Sequence, residues 1–469
     1  MSGALADLLR GALVSRRHGI EGVSGEQLSS DLLLGSADNV QHALAGQDVA
    51  PHEPVHVVMG NRPSDLGALL GVWQAGAVVV PIHVSAAPST VERAHRISRA
   101  RFAVDGERLH PIAEAPPPAR PLLHGAALVI FTSGSTGDPK GVVIGHQWFA
   151  DKLAVLDRLL KIRSDDAVLL PLQLTFIFGL WVSLLALSKD ARLILVPKFS
   201  SEAMTRGLGE ASVLAGVPSM FRTLLSYSAM VTPKLRAILT DGEVLPPALA
   251  RALLQIAPVT IHDLYGLTET GSCDFCLAPA DQPQGFGTIG RPTDHVDFRL
   301  QRDGCKVSAG ETGELQIRTP FGMLGYLDNP ELTAASFEGD YFRTGDLARM
   351  TDGGYVALIG RAKDIISRGG NKIAPLEIDN LLAEHPGVAA ALCAGVPDER
   401  LGEVVHAVVV PRAGVKIDTT SLRDWLMART ERFKVPDVFY IRDALPSGAS
   451  GKADRRAIAQ LAAGADKPR

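Results

Sequence analysis

The chain has 469 residues, 46% hydrophobic and 21% charged, with a formal net charge of −4. That length fits roughly two to four domains, and the composition is that of a globular protein with large cores. The near-neutral balance excludes a global field drawing it to nucleic acid or anionic lipid. Four cysteines make no disulfide framework and fit a reducing, cytoplasmic setting, and the first 25 residues hold no continuous apolar stretch of signal-peptide type.

In chain order, PVHVVMG (54–60) predicts a buried strand, SDLGALLGVWQAG (64–76) a helix ended by Gly76, and AVVVPI (77–82) the next strand. That is a βαβ unit and implies a parallel α/β sheet. PIAEAPPPARP (111–121) reads as a surface connection, and AALVIF (126–131) as a buried strand. The longest apolar run, Ala167 to Leu187, is interrupted by Pro171, Gln173, Thr175, Gly179 and Ser183, so it reads as core and pocket wall rather than a membrane span. DARLILVP (190–197), EASVLAGVP (210–218) and PVTIHDLYG (258–266) continue the α/β rhythm. Cys273-Asp-Phe-Cys276 is a lone C-x-x-C, read as two ordinary thiols in preference to a zinc or redox pair. From 286 to 359 the pattern changes to short strands and turns. The tail (PLEIDNLLAEHPGV, AALCAGVPD, VVHAVVVPR, SLRDWLMART) reads as a small α+β unit beginning near Gly360.

The strand at 126–131 runs into TSGSTGDPK (132–140). Glycines there let backbone N–H groups approach anionic oxygens, the hydroxyls of Thr132, Ser133, Ser135 and Thr136 add donors, and Lys140 adds a point charge. This is phosphate-loop chemistry without the Walker A spacing; an ordinary Gly/Ser surface loop is the alternative for this stretch taken alone.

The stretch is followed in order by DLYGLTETG (263–271), YFRTGDLARM (341–350), GRAKDIISRGGNKIAPLEID (360–379) and PSGASGKADR (446–455). With these motifs the chain resembles the adenylate-forming (AMP-binding) superfamily of acyl- and aryl-CoA synthetases, aryl-acid adenylating enzymes and firefly luciferase. The resemblance runs from VVMGNRPSDLGALLGVWQAGAVVVPI to Lys452. It implies an α/β fold: a large N-terminal domain (1–360) of two α/β sheets plus a small β-barrel, then a small mobile α+β C-terminal domain (361–469). The implied reaction joins a carboxylate to the α-phosphorus of MgATP with loss of pyrophosphate; a thiol then expels AMP. Such catalysis is positioning plus charge neutralisation around phosphates.

The resemblance also implies site residues. Thr132, Ser133, Gly134, Ser135, Thr136, Gly137 and Lys140 would hold the β- and γ-phosphates. Gly242, Glu243 and Val244 would border adenine, with Tyr265 and Gly266 at its face and Asp263 at its amino edge. Thr268 would contact the α-phosphate, and Glu269 would carry Mg²⁺. Asp346, helped by Arg361, would accept the ribose hydroxyls. Lys452 would bridge carboxylate and α-phosphate, and Lys363 would mark a hinge. About that hinge the SRGGNKI loop, with Gly369 and Gly370, would replace Lys452 for the thiol step.

Two positions depart from the family pattern. Aligned on Gly179, Phe176 stands where His is common, and Ser447 stands where a basic residue is frequent. Phe176, Phe178, Gly179, Trp181, Pro218 and Met220 are expected at the acyl pocket, whose bulk suits a compact aromatic acid. The expected cofactors are ATP, Mg²⁺ and CoA, or the phosphopantetheine of an acyl carrier protein. Neither nucleic acid nor membrane is expected as a partner, and a monomer or homodimer is expected. Adenylation of a different small oxyanion in secondary metabolism, and a non-catalytic nucleotide-binding role on this fold, stand as alternatives.

Overall fold

The computed structural model describes residues 3–132, 139–226, 232–256, 258–446 and 453–464. Ser133, Gly134, Ser135, Thr136 and Gly137 of the phosphate loop, together with Ser447 and Lys452, lie outside the described residues.

Two helices carry apolar residues on every side, and such helices are buried. One is Pro63–Gln74, enclosed from Pro63 to Trp73 except at Ser64; the other is Ile177–Ser188, enclosed from Ile177 to Leu187. They share one core with Val55, Val57, Val79 and Leu128 from one sheet and Val168, Leu170, Leu193 and Leu239 from another. The long apolar run of the sequence is thus the strand Ala167–Leu170 followed by the second of these helices. Trp73, fully buried, donates its indole N–H to the Ala127 carbonyl at 2.9 Å and fastens helix to strand.

Among the described residues the strands form four sheets. The seven-stranded sheet pairs Pro54–Met59, Val78–His83 and Ala126–Thr132 in parallel, as the βαβ pattern predicted. Ala126–Thr132 also pairs with Lys140–Gly145, but antiparallel. The nine-stranded sheet runs Ala167–Leu170, Val213–Gly216, Ala237–Thr240 and Thr260–Tyr265 in parallel register. Residues 297–361 supply a six-stranded antiparallel sheet whose end strands do not pair among the described residues, so the expected barrel is a half-barrel. Residues 366–441 supply a five-stranded sheet packed on the helices Pro375–Ala383 and Thr419–Met427. This is the α/β architecture the sequence implied. No helix among the described residues is long and apolar enough to cross a membrane.

Asn61, in a left-handed conformation (φ 57°) after the strand Pro54–Met59, stitches the two large sheets together. Its amide donates to the Leu172 carbonyl at 2.7 Å and accepts from Leu174 N–H at 2.9 Å. Next to it, buried Asp65 accepts the N–H groups of Gly60 (2.7 Å) and Arg62 (2.9 Å), satisfying donors at the start of Pro63–Gln74. The carboxyl ends of the parallel strands are thereby held together, and this is where open α/β sheets bind ligands.

Candidate active site

The strand Thr260–Tyr265 ends on a polar trio. Tyr265 donates its hydroxyl to Asp346 Oδ2 at 2.6 Å, and Arg361 Nε lies 3.0 Å from Asp346 Oδ1. Asp346 and Arg361 are register partners on adjacent half-barrel strands, so strand pairing sets their geometry. Burial, then the neighbouring Asp346, holds the Tyr265 phenol well above its ordinary range, and it remains a donor at neutral pH. Two partners leave the carboxylate with further lone pairs to accept hydroxyl groups.

Beyond Tyr265 the chain folds into a tight turn that carries Thr268 and Glu269 in one 3-10 segment. Gly266 and Gly271 make the turn feasible. A Cβ on Gly266 would sit 2.2 Å from Cys273 N, and one on Gly271 would sit 2.4 Å from the Phe321 carbonyl. Met323 N–H donates to the Glu269 carbonyl at 2.8 Å, and the Tyr326 hydroxyl donates to Glu269 Oε1 at 3.0 Å. The other Glu269 oxygen has no hydrogen-bond partner among the described residues, a donor suited to a hard cation.

Tyr326 joins this turn to the phosphate loop. It pairs with Val142, and the Lys140 ammonium lies 5.2 Å from its ring centroid. Thr132 and Lys140 are register partners, so the loop's two ends meet on one hairpin. Among the described residues no carboxylate lies within ion-pair distance of Lys140. An ammonium so placed is free to meet an anion.

Asp241 leaves the neighbouring strand with its Oδ1 accepting Gly242 N–H at 2.5 Å and its Oδ2 accepting the Ser272 hydroxyl at 3.2 Å. Asp263 lies beside it, and burial, then Asp241, pushes the Asp263 carboxyl well above the carboxylate range. Gly242 is exposed and Val244 half-buried, while Glu243 stands 4.0 Å from Arg222. Lys363, in the turn Ala362–Asp364, sits near Arg361 and Arg456; burial, then Arg361, lowers its pKa. Gly369 and Gly370 turn the hairpin between Ile366–Arg368 and Asn371–Ile373.

On the apolar side, Phe176 caps the helix Ile177–Ser188, and Gly179 packs against the Gln173 carbonyl. Trp181 is fully buried with its ring 5.2 Å from that of Phe178, itself 8% exposed. Phe176 and Met220 are only partly covered, so they are the predicted wall residues with surface to present. Pro218 begins the helix Pro218–Ser226 and is buried.

Sequence reasoning missed three features. Asn61 and Tyr326 carry no pattern of their own. The third is a buried pair, Lys152 with Asp274, 3.7 Å apart and both 0% exposed. Lys152 shares a helix face with Phe149, Val155 and Leu156, and that apolar spacing was the available signal. Cys273 and Cys276 are buried free thiols held high by burial.

The AMP-binding enzyme family model matches residues 105–327, and that for the AMP-binding enzyme C-terminal domain matches residues 377–452. The chain is 32% identical over 467 residues to a feruloyl-CoA synthase of Amycolatopsis sp, covering 93% of each. It is 28% identical over 478 residues to the fatty acid–[acyl-carrier-protein] ligase ScoC of Streptomyces coeruleorubidus, covering 92% of this chain and 91% of that one. Its fold is similar to that of ATP-bound MatB from Rhodopseudomonas palustris, with a TM-score of 0.86 at 24% identity over 98% of this chain and 99% of that one.

Proposed function

The chain belongs to the AMP-binding enzyme family of AMP-forming acid–CoA ligases, and from that premise we propose that it activates an aromatic carboxylic acid with MgATP, releases pyrophosphate and transfers the acyl group to CoA. The observation that carries this reading is the joining of three distant motifs in one continuous site. Lys140 reaches Tyr326, Tyr326 bonds Glu269, and the Glu269 turn follows directly on Tyr265, which bonds Asp346.

In this reading Asp346 accepts the ribose hydroxyls with the lone pairs that Tyr265 and Arg361 leave open. Asp263, Gly242, Glu243 and Val244 border the base, with Gly266 behind the Tyr265 ring. Thr132, Lys140 and the segment Ser133–Gly137 bind the β- and γ-phosphates, and Thr268 bonds the α-phosphate. Glu269 would hold Mg²⁺, which supplies charge neutralisation at the phosphates. Lys452 screens the attacking carboxylate from the α-phosphate, two groups that otherwise repel. Residues 361–469 form a mobile domain hinged at Lys363; Gly369 and Gly370 border the thiol's path once it turns. Phe176 and Met220 offer apolar surface to the acyl group, with Phe178, Gly179 and Trp181 behind them.

The aromatic preference draws on these side chains and on the likeness to a feruloyl-CoA synthase. Likeness to ScoC favours a second reading, in which the accepting thiol is the phosphopantetheine of a carrier protein. Pyrophosphate release across a panel of aryl, short-chain and fatty acids, with thioester mass read for CoA and for a holo carrier protein, tests both. A thioester formed with one aryl acid and CoA is expected; release without any CoA thioester moves the acceptor to the carrier.

A further inference from the structure

Gly271, Ser272 and Cys273 follow Thr268–Glu269 with φ of 84°, 66° and 52°. Three successive left-handed residues are costly where two are not glycine, roughly 1–2 kcal/mol for each. Some of the compensation is local: Ser272 N–H donates to the Leu267 carbonyl at 2.8 Å, and Asp274 N–H donates to the Tyr265 carbonyl at 2.7 Å. The Cys273 carbonyl, turned inward by this conformation, is met by the Lys152 ammonium at 2.8 Å and by the Thr293 hydroxyl at 3.0 Å. Lys152 itself is fully buried on the helix His146–Leu160. Around its ammonium stand Asp274 at 3.7 Å and the Phe321 ring, whose centroid is 5.3 Å away. Asp274 in turn accepts a hydrogen bond from the Thr270 hydroxyl.

A buried ion pair is a poor source of stability, because apolar side chains of the same volume commonly serve as well or better. What this pair does that apolar side chains could not is bind a carbonyl on one side of the turn and a hydroxyl on the other. We propose that Lys152 and Asp274 form a positioning pair that holds the Thr268–Glu269 turn in the conformation that faces the nucleotide. The proposal rests on the assignment of Thr268 and Glu269 to the α-phosphate and the cation.

The test compares wild type with Lys152→Met and with Lys152→Met/Asp274→Asn. Lys152→Met lowers kcat for acid-dependent pyrophosphate release by about 10-fold to 100-fold, the scale of a displaced reacting group, and leaves the KM for the acid unchanged. By calorimetry it also loses the gain in ATP affinity that Mg²⁺ gives the wild type. The double variant regains the wild-type melting temperature while kcat stays low. Wild-type kcat in a folded Lys152→Met protein, or recovery of kcat together with stability in the double variant, overturns the proposal. If Lys152→Met does not fold, Asp274→Asn, which keeps an acceptor for Thr270, carries the same comparison with a several-fold loss. A wild type that neither releases pyrophosphate nor binds ATP more tightly with Mg²⁺ contradicts the proposed function instead. Amide hydrogen exchange then decides the positioning claim: faster exchange confined to residues 266–275 in Lys152→Met upholds it, and unchanged exchange overturns it.

Discussion

Around Tyr265 the side chains are polar and paired: hydroxyl to Asp346, Asp346 to Arg361, Asp241 to Ser272, Glu269 to Tyr326. Around Phe178 and Trp181 they are apolar and packed, and the buried Trp181 indole N–H has no partner among the described residues. The first region is specified by directional bonds, each fixed by a strand register or a turn. The second is specified by volume, which many residue sets satisfy equally. A change on the nucleotide side should therefore alter ATP handling alone, and a change on the acyl side should alter the choice of acid alone.

The largest expected effect belongs to the charge that the proposed function assigns to the attacking carboxylate. Lys452→Ala should lower adenylation by about 10²–10³ while ATP affinity, read by calorimetry, stays near wild type. Equal loss of ATP affinity would break the division of roles. Next comes Asp346→Asn, which removes the charge facing Arg361 and weakens the acceptor for Tyr265. The KM for ATP should rise by roughly 10-fold to 100-fold, the scale of a hydrogen bond to a charged group, with the KM for the acid unchanged. On the acyl side Phe176→Ala should raise the KM for the preferred acid by about 10-fold and leave that for ATP alone.

The smallest effect on catalysis near neutral pH concerns the framework that holds both regions. His56, His146 and His262 are buried, and burial holds each at a pKa of about 4 against an ordinary 6.5. Below pH 6.5 the unfolded chain takes up more protons than the folded one. Their contribution to stability is therefore complete above pH 6.5 and is lost as pH falls toward 4, on the order of 3 kcal/mol for each. The melting temperature should decline across that window, and a His56→Gln variant should decline less steeply. An equal slope would remove His56 from the account.

The contrast between the regions also explains what was legible in the sequence. Strands such as Pro54–Met59 and Ala126–Thr132 showed as short apolar runs with turn residues at their ends. Asp346 and Arg361 stood out only through the motifs that resemble the adenylate-forming family, and the structure brings both to Tyr265. The antiparallel turn-back at Lys140–Gly145 was not legible, since an apolar run does not state its direction. Tyr326 was missed for a related reason: it reaches Glu269 only because Gly325–Tyr326 pairs with Val142–Val143, a contact between segments far apart in the chain. Lys152 and Asp274 drew no reading from the sequence, and only the packing shows both enclosed.

Isotope exchange between pyrophosphate and ATP, with one aryl acid and no CoA, tests the central claim most directly. The account predicts exchange that requires the acid and does not require CoA, because adenylation precedes and is independent of the thiol step. Absence of exchange with every acid tried, or exchange that appears only when CoA is added, would contradict it.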